Sequence, residues 1–343
     1  MPIQPEAPAG RARERATIGV AFGLLLDVGA GIDIAGIVDT PGGHDLEAAS
    51  PEPPVSPLSA EPTRVRLDPL ELERRWASAA HAAERVRELR DGDTVLLTVE
   101  LAPHAGYLLH APGFGRILIA PDGCELVCAP EPDNSQWTAL LPAQALPLAA
   151  TLRGFEVLHA SGVVLGGRAA LFTGPPGAGK SSLAAALLRR GAAELLSDDT
   201  VALQLRGDGA LVAYPGAALL QLRAAEHERL STRERALLGP PTTFLDKQRY
   251  SQSVAASPAP FGELFLLERS AHGPPIERIE AVDPFALLAS TFNLSVRMPE
   301  RLTRHLDLAV ALAASGRIHR LRVRPGTDAT QLAEIVHERL LEL

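Results

Sequence analysis

Residues 174–200 have the sequence GPPGAGKSSLAAALLRRGAAELLSDDT, and the six residues before them, RAALFT, are apolar enough to form a buried strand. The first eight residues match the motif G-x-x-x-x-G-K-[ST] at every fixed position. A strand, a glycine-rich loop and a helix predicted over 181–190 follow one another, which is the context that this motif requires. Gly191 follows the predicted helix end. The stretch therefore predicts a nucleotide-binding loop in an α/β fold.

The loop residues have separate chemical roles in phosphate binding. Glycines let backbone N–H groups point inward at the phosphates, Lys180 adds a positive charge, and the Ser181 hydroxyl can ligate magnesium. The motif thus predicts ATP and Mg²⁺ as ligands. The predicted nucleotide-binding residues are Gly174, Pro175, Pro176, Gly177, Ala178, Gly179, Lys180, Ser181 and Ser182.

Two adjacent carboxylates, Asp198 and Asp199, follow Lys180 after a short interval. They lie in AELLSDDTVALQL, residues 193–205, which we predict to be a strand parallel to RAALFT after a right-handed crossover. Neighbouring strand residues face opposite sides, so one carboxylate is predicted to hold the metal and the other to face a phosphate acceptor. The alternative, that SDDT is only a capped turn before a strand, stays open.

The composition is that of a globular protein. The chain has 343 residues, 46% of them apolar, and a net charge of −8 from 41 acidic and 33 basic residues of interspersed sign. This pattern excludes nucleic acid as a predicted partner. Only two of the 33 basic residues, Lys180 and Lys247, are lysines. A chain so rich in arginine keeps lysine where a compact ammonium is needed, and for Lys247 this explanation and chance both stay open. Lys247 and Arg249 lie in a polar run, 244–253, which either reaches phosphate or an acidic acceptor or is a solvated loop.

The N-terminal region is predicted to contribute little to a core. An apolar run at 16–26 follows three arginines in the manner of a signal peptide, but it is too short to span a membrane. Export gives no advantage to a chain with an ATP-binding motif, so we predict a cytoplasmic protein without a membrane partner. Residues 41–62 are rich in Pro, Gly, Ser and acidic residues, as in a linker. We therefore predict that 1–62 is a poorly ordered segment and linker.

Two domains are predicted after the linker. Residues 63–134 are predicted to form a smaller α/β accessory domain, in which 68–92 is one amphipathic helix with Asp68 as its N-cap and Gly92 after its end. Short β-rich runs then predict an antiparallel meander. Residues 135–343 are predicted to form the P-loop domain.

The run GPPGAGKSSLAAALLRRGAAELLSDDTVAL and the upstream LHASGVVL, residues 158–165, resemble the HPr kinase/phosphorylase family and its relatives. Those relatives include kinases that modify ribosomally made peptides, such as lasso-peptide precursors. The motifs are similar over 155–202, the similarity is looser from about residue 105 to the C-terminus, and the first hundred residues are not covered. The resemblance implies a P-loop kinase core with a mixed sheet.

The resemblance also implies roles for individual residues. Lys180 and Ser181 would bind phosphate and magnesium, Asp198 would be the general base toward a hydroxyl, and Asp199 would support the metal. His159 would lie beside the transferred phosphoryl group, although a satisfied core histidine is the simpler interpretation without the resemblance. The HPr-recognising signature of the bacterial family is not found in the sequence. The resemblance therefore leaves HPr as acceptor, and the reverse phosphorolysis, open.

Together these features predict an ATP-dependent kinase. A motor or switch needs a metal site coupled to a distant moving element, whereas a compact kinase needs a base beside the γ-phosphate. The early acidic pair therefore favours transfer to a Ser or Thr hydroxyl of a peptide or protein, including a ribosomally made precursor. A small-molecule kinase and a nucleotide-dependent binding module without transfer are the alternatives. The sequence names neither the acceptor nor the oligomeric state, so a homo-oligomer stays open.

Overall fold

The computed structural model describes residues 17–39, 61–191 and 193–341, whose strands form two nine-stranded sheets and one three-stranded sheet. The N-terminal part contains β1 (Thr17–Ala21), β2 (Leu24–Val28), β3 (Val38–Asp39), β4 (Thr63–Leu67), α1 (Pro69–Ala79), β5 (Glu84–Asp91), β6 (Thr94–Ala102), β7 (Gly106–Ala111), β8 (Gly115–Ile119) and β9 (Glu125–Pro130). These strands form the first sheet, in the order β3-β1-β2-β4-β9-β8-β7-β6-β5. The pairs β2–β4 and β4–β9 are parallel, and the other neighbours are antiparallel.

The second sheet carries the predicted P-loop. After the helical turns Trp137–Ala139 and Leu141–Ala145, the chain forms α2 (Leu146–Leu152), β10 (Glu156–Leu158), β11 (Ala160–Leu165), β12 (Arg168–Thr173), α3 (Lys180–Arg189), β13 (Glu194–Ser197), β14 (Val201–Leu205) and β15 (Leu211–Tyr214). The remaining elements are β16 (Leu219–Arg223), α4 (Ala224–Arg229), α5 (Thr232–Leu238), β17 (Pro241–Phe244), β18 (Lys247–Ser251), β19 (Ala259–Arg269), β20 (Ile276–Arg278), α6 (Pro284–Leu288), α7 (Pro299–Ala314), β21 (Ile318–Val323) and α8 (Ala329–Leu341).

The order of the second sheet is β10-β14-β15-β19-β12-β11-β13, and β21 pairs with both β19 and β20. Around the P-loop strand β12, the neighbour β19 is parallel and the neighbour β11 is antiparallel, so the sheet is mixed. Helices α3 and α8 pack against each other and share one hydrophobic cluster with this sheet. Helix α7 contributes to a second cluster on the same sheet. The predicted α/β fold with a mixed sheet is therefore confirmed. Strands β16, β18 and β17 form the separate three-stranded sheet.

The helix predicted over 68–92 is shorter than expected. It begins as predicted, because the Asp68 carboxylate accepts a hydrogen bond of 3.0 Å from the backbone N–H of Glu71. It ends at Ala79, however, where a 3-10 turn over Ala80–Ala82 follows, and β5 begins at Glu84. Gly92, which was predicted to follow the helix end, instead lies with Asp93 in the two-residue hairpin turn between β5 and the strongly β-forming β6, and has a φ of 55°.

The predicted poor order of residues 1–62 is wrong for 17–39. Strands β1 and β2 form a hairpin, and β2 alternates buried and half-buried residues, as a strand with one face on a core does. The part of the apolar run at 16–26 that the structure describes therefore supplies core side chains through a period of two. Buried residues of this segment include Phe22, Leu24, Leu26, Ile32 and Ile34. Residues 1–16 and most of the predicted linker lie outside the described residues.

The single strand predicted over 193–205 is divided at the carboxylates. Strand β13 pairs with β11, whereas β14 pairs with β10 and β15, so the two halves lie in different parts of the sheet. At the division Asp199 has a φ of 73°, a left-handed conformation that Asp tolerates better than most residues. Strand β13 runs parallel to β12 as predicted, but β11 lies between them.

One hydrophobic core connects the first sheet to the second. It contains Leu26 and Tyr107 from the first sheet, Leu141 from the connection, and Phe155 and Tyr214 from the P-loop part. The predicted boundary after residue 134 falls in the connection between β9 and β10, and independent folding of the two parts stays a prediction. None of the helices in the described ranges is both long enough and apolar enough to span a lipid bilayer.

Candidate active site

The P-loop connects β12 to α3 through backbone conformations that need glycine. Gly174 has a φ of 150°, and a Cβ added there would lie 2.6 Å from the carbonyl oxygen of Leu267. Gly177 and Gly179 also have positive φ angles, of 77° and 101°. The loop can therefore turn its N–H groups toward phosphate, next to the N-terminus of α3.

Lys180 lies at the first position of α3 and is 7% exposed. Its ammonium donates to the carbonyl oxygen of Gly174 at 3.0 Å, so the side chain folds back over the loop. Burial lowers the pKa of Lys180, against the opposing effect of the Asp199 and Asp198 charges. The predicted phosphate-binding lysine thus lies next to both carboxylates.

Asp198 is part of a hydrogen-bond network with the loop. Its Oδ1 accepts from the Ser181 hydroxyl at 2.8 Å and from the Ser161 hydroxyl at 2.5 Å, and its Oδ2 accepts from the backbone N–H of Gln221 at 2.8 Å. Burial raises the pKa of Asp198, and the three donors favour the ionised form against this effect. The carboxylate and the Ser181 hydroxyl therefore converge on one point beside the P-loop.

Asp199 turns the opposite way and makes different contacts. Its Oδ1 lies 3.3 Å from the Lys247 ammonium and 4.0 Å from Nδ1 of His159. Burial opposes ionisation of Asp199, but Lys247 and His159 outweigh it, so the pKa of this carboxyl is lowered. Asp199 is therefore an ionised carboxylate at neutral pH, and its partners differ from those of Asp198.

His159 lies directly before β11 and faces Asp199. Its Nδ1 is 3.0 Å from the backbone carbonyl oxygen of Asp199, and since a carbonyl only accepts, Nδ1 carries the proton. Burial lowers the pKa of His159, although Asp199 opposes this. The imidazole is therefore neutral near pH 7, with Nε2 as an acceptor. Its ring stacks with Phe292 at a centroid distance of 6.4 Å.

The polar run at 244–253 is not a solvated loop, since Phe244 ends β17 and residues 247–251 form β18. Lys247 contacts Asp199, as described, so the solvated-loop alternative does not hold for it, and its reach to phosphate or an acceptor stays a prediction. Arg249 is 5% exposed, lies 3.7 Å over the Phe244 ring and donates to the Gln221 side chain at 3.2 Å. Burial lowers the pKa of Arg249 to about 10. It borders a small cavity beside the two carboxylates, together with Phe22 and Ala143.

A larger cavity, of about 700 Å³, lies beside the P-loop on the α3 side. Loops that follow β19 and β21 form its far wall, and Ser182 and Leu222 line it. An ion pair of 3.0 Å between Arg189 and Glu234 lies on another wall. The cavity begins at the loop and is large enough to hold a small ligand of the size of a nucleoside.

The structure thus brings together the predicted residues Lys180, Ser181, Asp198, Asp199 and His159. Sequence reasoning missed Ser161, although it lies two positions after His159 in an extended segment. It also missed Arg223 at the end of β16, and Arg269, which donates to the carbonyl oxygen of Gly177 at 2.9 Å. Neither arginine is part of a recognisable motif, so the sequence gives no sign that the fold brings them to the P-loop.

Within the ranges that the structure describes, no group of three or more His, Cys, Asp or Glu side chains is arranged to hold a metal ion. Magnesium does not require such a cluster, because it is commonly held by one or two carboxylates or hydroxyls together with substrate phosphates and water. The Ser181 hydroxyl and the Asp198 carboxylate fit that pattern.

One comparison with known proteins, a match to a family model, agrees with the P-loop assignment. A family model described as an AAA domain matches residues 170–256, which is less than half of the chain but includes the loop, both carboxylates and β16 to β18. No curated protein is significantly similar to the chain. Among solved structures, the HPr(Ser) kinase/phosphatase from Coxiella burnetii is similar at 14% sequence identity and a TM-score of 0.28, over 55% of this chain and 97% of that chain. That similarity is too low to assign a function, so the chemistry rests on the site itself.

Proposed function

We propose that the protein is an ATP-dependent kinase that phosphorylates a Ser or Thr hydroxyl of a peptide or protein. The observation that carries this proposal is the division of the acidic pair. Asp198 bonds to the P-loop hydroxyl of Ser181, whereas the carboxylate of Asp199 contacts His159 and Lys247. One carboxylate thus serves the nucleotide side and the other is free to serve an acceptor.

For Asp198 and Asp199, the geometry favours an exchange of the two roles that the family resemblance implies. We assign Asp198 to the metal together with Ser181, because their oxygens converge at 2.8 Å beside the phosphate loop. When bound there, Mg²⁺ would neutralise part of the phosphate charge. Ser161 and the N–H of Gln221 keep the Asp198 carboxylate in this orientation.

Asp199 is then the general base. Its lowered pKa keeps it ionised at neutral pH, and its side chain is 27% exposed, so an acceptor can reach it. In the transfer, the acceptor oxygen bonds to the γ-phosphorus, the bond from that phosphorus to the β–γ bridging oxygen breaks, and its electron pair leaves with ADP. The acceptor proton passes to the Asp199 carboxylate. The neutral His159 holds the Asp199 backbone in place through the carbonyl oxygen.

The acceptor class follows from the family resemblance and from the accessibility of the site. The side chains of His159 and Asp199 are 34% and 27% exposed, beside the first sheet and the turn Leu141–Ala145. A segment of a larger molecule can therefore present its hydroxyl there. We propose a ribosomally made peptide precursor as this acceptor and the cytoplasm as the place of reaction.

The test compares Asp198→Asn with Asp199→Asn. Asn also tolerates the left-handed backbone at position 199, so both variants keep the local fold. We expect Asp199→Asn to keep magnesium-dependent ATP affinity and to lower phosphoryl transfer about 10²- to 10⁴-fold, because the base is lost. We expect Asp198→Asn to weaken magnesium-dependent binding itself. Titration with an ATP analogue measures binding, and mass spectrometry of peptides incubated with ATP and magnesium measures transfer.

Two results would contradict the proposal in different ways. If the Asp198 variant binds magnesium-ATP normally and only transfer is lost, the roles implied by the resemblance are right and our exchange of roles is wrong. If wild-type protein binds ATP but phosphorylates no peptide, protein or metabolite pool, the chain is a nucleotide-dependent binding module rather than a kinase. A phosphorylated metabolite without any phosphorylated peptide would show a small-molecule kinase.

A further inference from the structure

The three-stranded sheet carries a pair of cations next to the P-loop. In the ladder between β16 and β18, Arg223 lies directly opposite Lys247. Side chains of directly opposed residues lie on the same face of a sheet, and like charges in this arrangement destabilise it. The backbone around the pair is held in register, since the N–H of Ala224 donates to the carbonyl oxygen of Asp246 at 3.2 Å. Two positive charges are therefore fixed side by side.

The pair extends from the acceptor side of the site to the phosphate loop. The Lys247 ammonium lies 3.3 Å from Asp199 Oδ1. At the other end, a guanidinium nitrogen of Arg223 is 3.5 Å from the position that a Cβ on Gly177 would occupy. The charges of Lys247 and Arg223 also act on the P-loop lysine. Burial lowers the pKa of Lys180, and the two nearby positive charges lower it further.

The charges of the pair are only partly balanced by the protein. Lys247 has the Asp199 carboxylate as its partner, whereas Arg223 makes no ion pair with any carboxylate in the part of the chain that the structure describes. The Arg223 residue is also exposed to solvent above the loop. An anion bound between the two side chains would offset their repulsion and supply Arg223 with its missing partner.

We infer that Arg223 and Lys247 form a two-cation clamp on the phosphoryl group while it is transferred, an inference that rests on the proposed kinase function. That group passes between the P-loop and the Asp199 base, which are the two places that the pair connects. Its charge is spread over three equatorial oxygens in the transition state, so cations placed beside it act most strongly at that moment. Arg223 offers several N–H donors in a plane, and Lys247 offers a compact charge that also fits against Asp199.

The experiment uses the full-length protein with Mg²⁺, ADP and aluminium fluoride, which together imitate the phosphoryl group in transfer. The variants are Arg223→Gln and Lys247→Gln. Arg233→Gln is the matched control, because Arg233 is an exposed arginine of the nearby helix α5. Lys247→Arg tests whether a different cation restores the function. Affinity is measured for ADP alone and for ADP with aluminium fluoride, and turnover is measured with ATP.

We expect each Gln variant to keep the ADP affinity of the wild type, and to lose about 10²- to 10³-fold both in turnover and in the extra affinity that aluminium fluoride provides. Arg233→Gln should behave as wild type, and Lys247→Arg should recover part of the loss. Unchanged aluminium fluoride binding in both Gln variants would overturn the clamp while the kinase remains. An equal loss for ADP alone would also overturn it, because the cations would then hold the ground-state phosphates. If the wild type forms neither the complex nor a phosphorylated product, the proposed function itself fails.

Discussion

At the residue scale, two neighbouring carboxylates have opposite electrostatic environments. Burial raises the pKa of Asp198, whereas Lys247 and His159 outweigh burial and lower the pKa of Asp199. The left-handed backbone at Asp199, with a φ of 73°, turns the chain between the two side chains. Such a conformation at a residue other than glycine costs free energy and is commonly found at functional sites. In the function that we propose, the chain thus obtains a metal-side and an acceptor-side carboxylate from consecutive residues.

The pH dependence of transfer is expected to change in Lys247→Gln. In the proposed mechanism transfer requires the ionised form of Asp199, so activity is expected above the pKa of this carboxyl and should fall as the pH falls through it. Removing the Lys247 charge raises that pKa, because a nearby cation favours the ionised form. The acid limb of the profile of kcat/KM against pH should therefore move to higher pH, in addition to the loss of rate.

The control for this measurement is Arg233→Gln, whose acid limb should coincide with that of the wild type. The profile is measured with saturating magnesium so that metal binding does not limit it. An acid limb that stays in place in Lys247→Gln would show that Asp199 is not the titrating base.

At the scale of secondary-structure elements, the local motif was predictable and the pairing of distant strands was not. The P-loop was found because its fixed glycines, Gly174 and Gly179, which have positive φ angles, stand in one short continuous motif. By contrast, β5 has the charge pattern of an exposed helix, and its strand conformation comes from pairing with β6. Arg223 and Lys247 meet through the register of β16 and β18, which no spacing in the sequence reveals.

Hairpin β1–β2 shows the same dependence on distant contacts. Composition suggested that residues 1–62 cannot form a core by themselves, and the hairpin indeed buries its side chains against other parts of the chain. Phe22 and Leu26 belong to the same cluster as Phe155 and Tyr214 of the P-loop part. A segment that lacks a core of its own can therefore complete the core of another.

Phe22→Ala should reduce the free energy of unfolding by about 3–5 kcal/mol, as expected for a large aromatic side chain removed from a core. Phe22 is 1% exposed, in the turn between β1 and β2. Ile18→Ala on the same hairpin is the control, because Ile18 is 42% exposed and its truncation should cost less than about 1 kcal/mol. Urea unfolding of both variants measures the difference. Similar small losses in both would show that the hairpin contributes little to the core.

At the scale of the whole molecule, the candidate active site lies where the first sheet meets the P-loop part. Arg87 of the edge strand β5 places its guanidinium 5.3 Å from the centroid of Phe292, and this ring stacks on His159. On the other side, Phe114 of the β7–β8 turn meets Phe244 edge-on at a centroid distance of 5.4 Å. The first sheet therefore contacts both the histidine side of the site and the sheet that carries Lys247.

Arg87→Met should show whether the first sheet supports catalysis through His159. The substitution keeps most of the apolar stem but removes the charge over Phe292, an interaction worth about 0.5–2 kcal/mol. We expect transfer to a peptide to fall about 2- to 30-fold, while affinity for a nucleotide analogue stays unchanged, because Arg87 does not contact the P-loop. The control is Arg85→Met on the same strand, whose guanidinium pairs with Glu88 and Glu100 at the surface. Equal activity of both variants would mean that the first sheet acts only as a scaffold; a loss confined to Arg87→Met would place it in the catalytic unit.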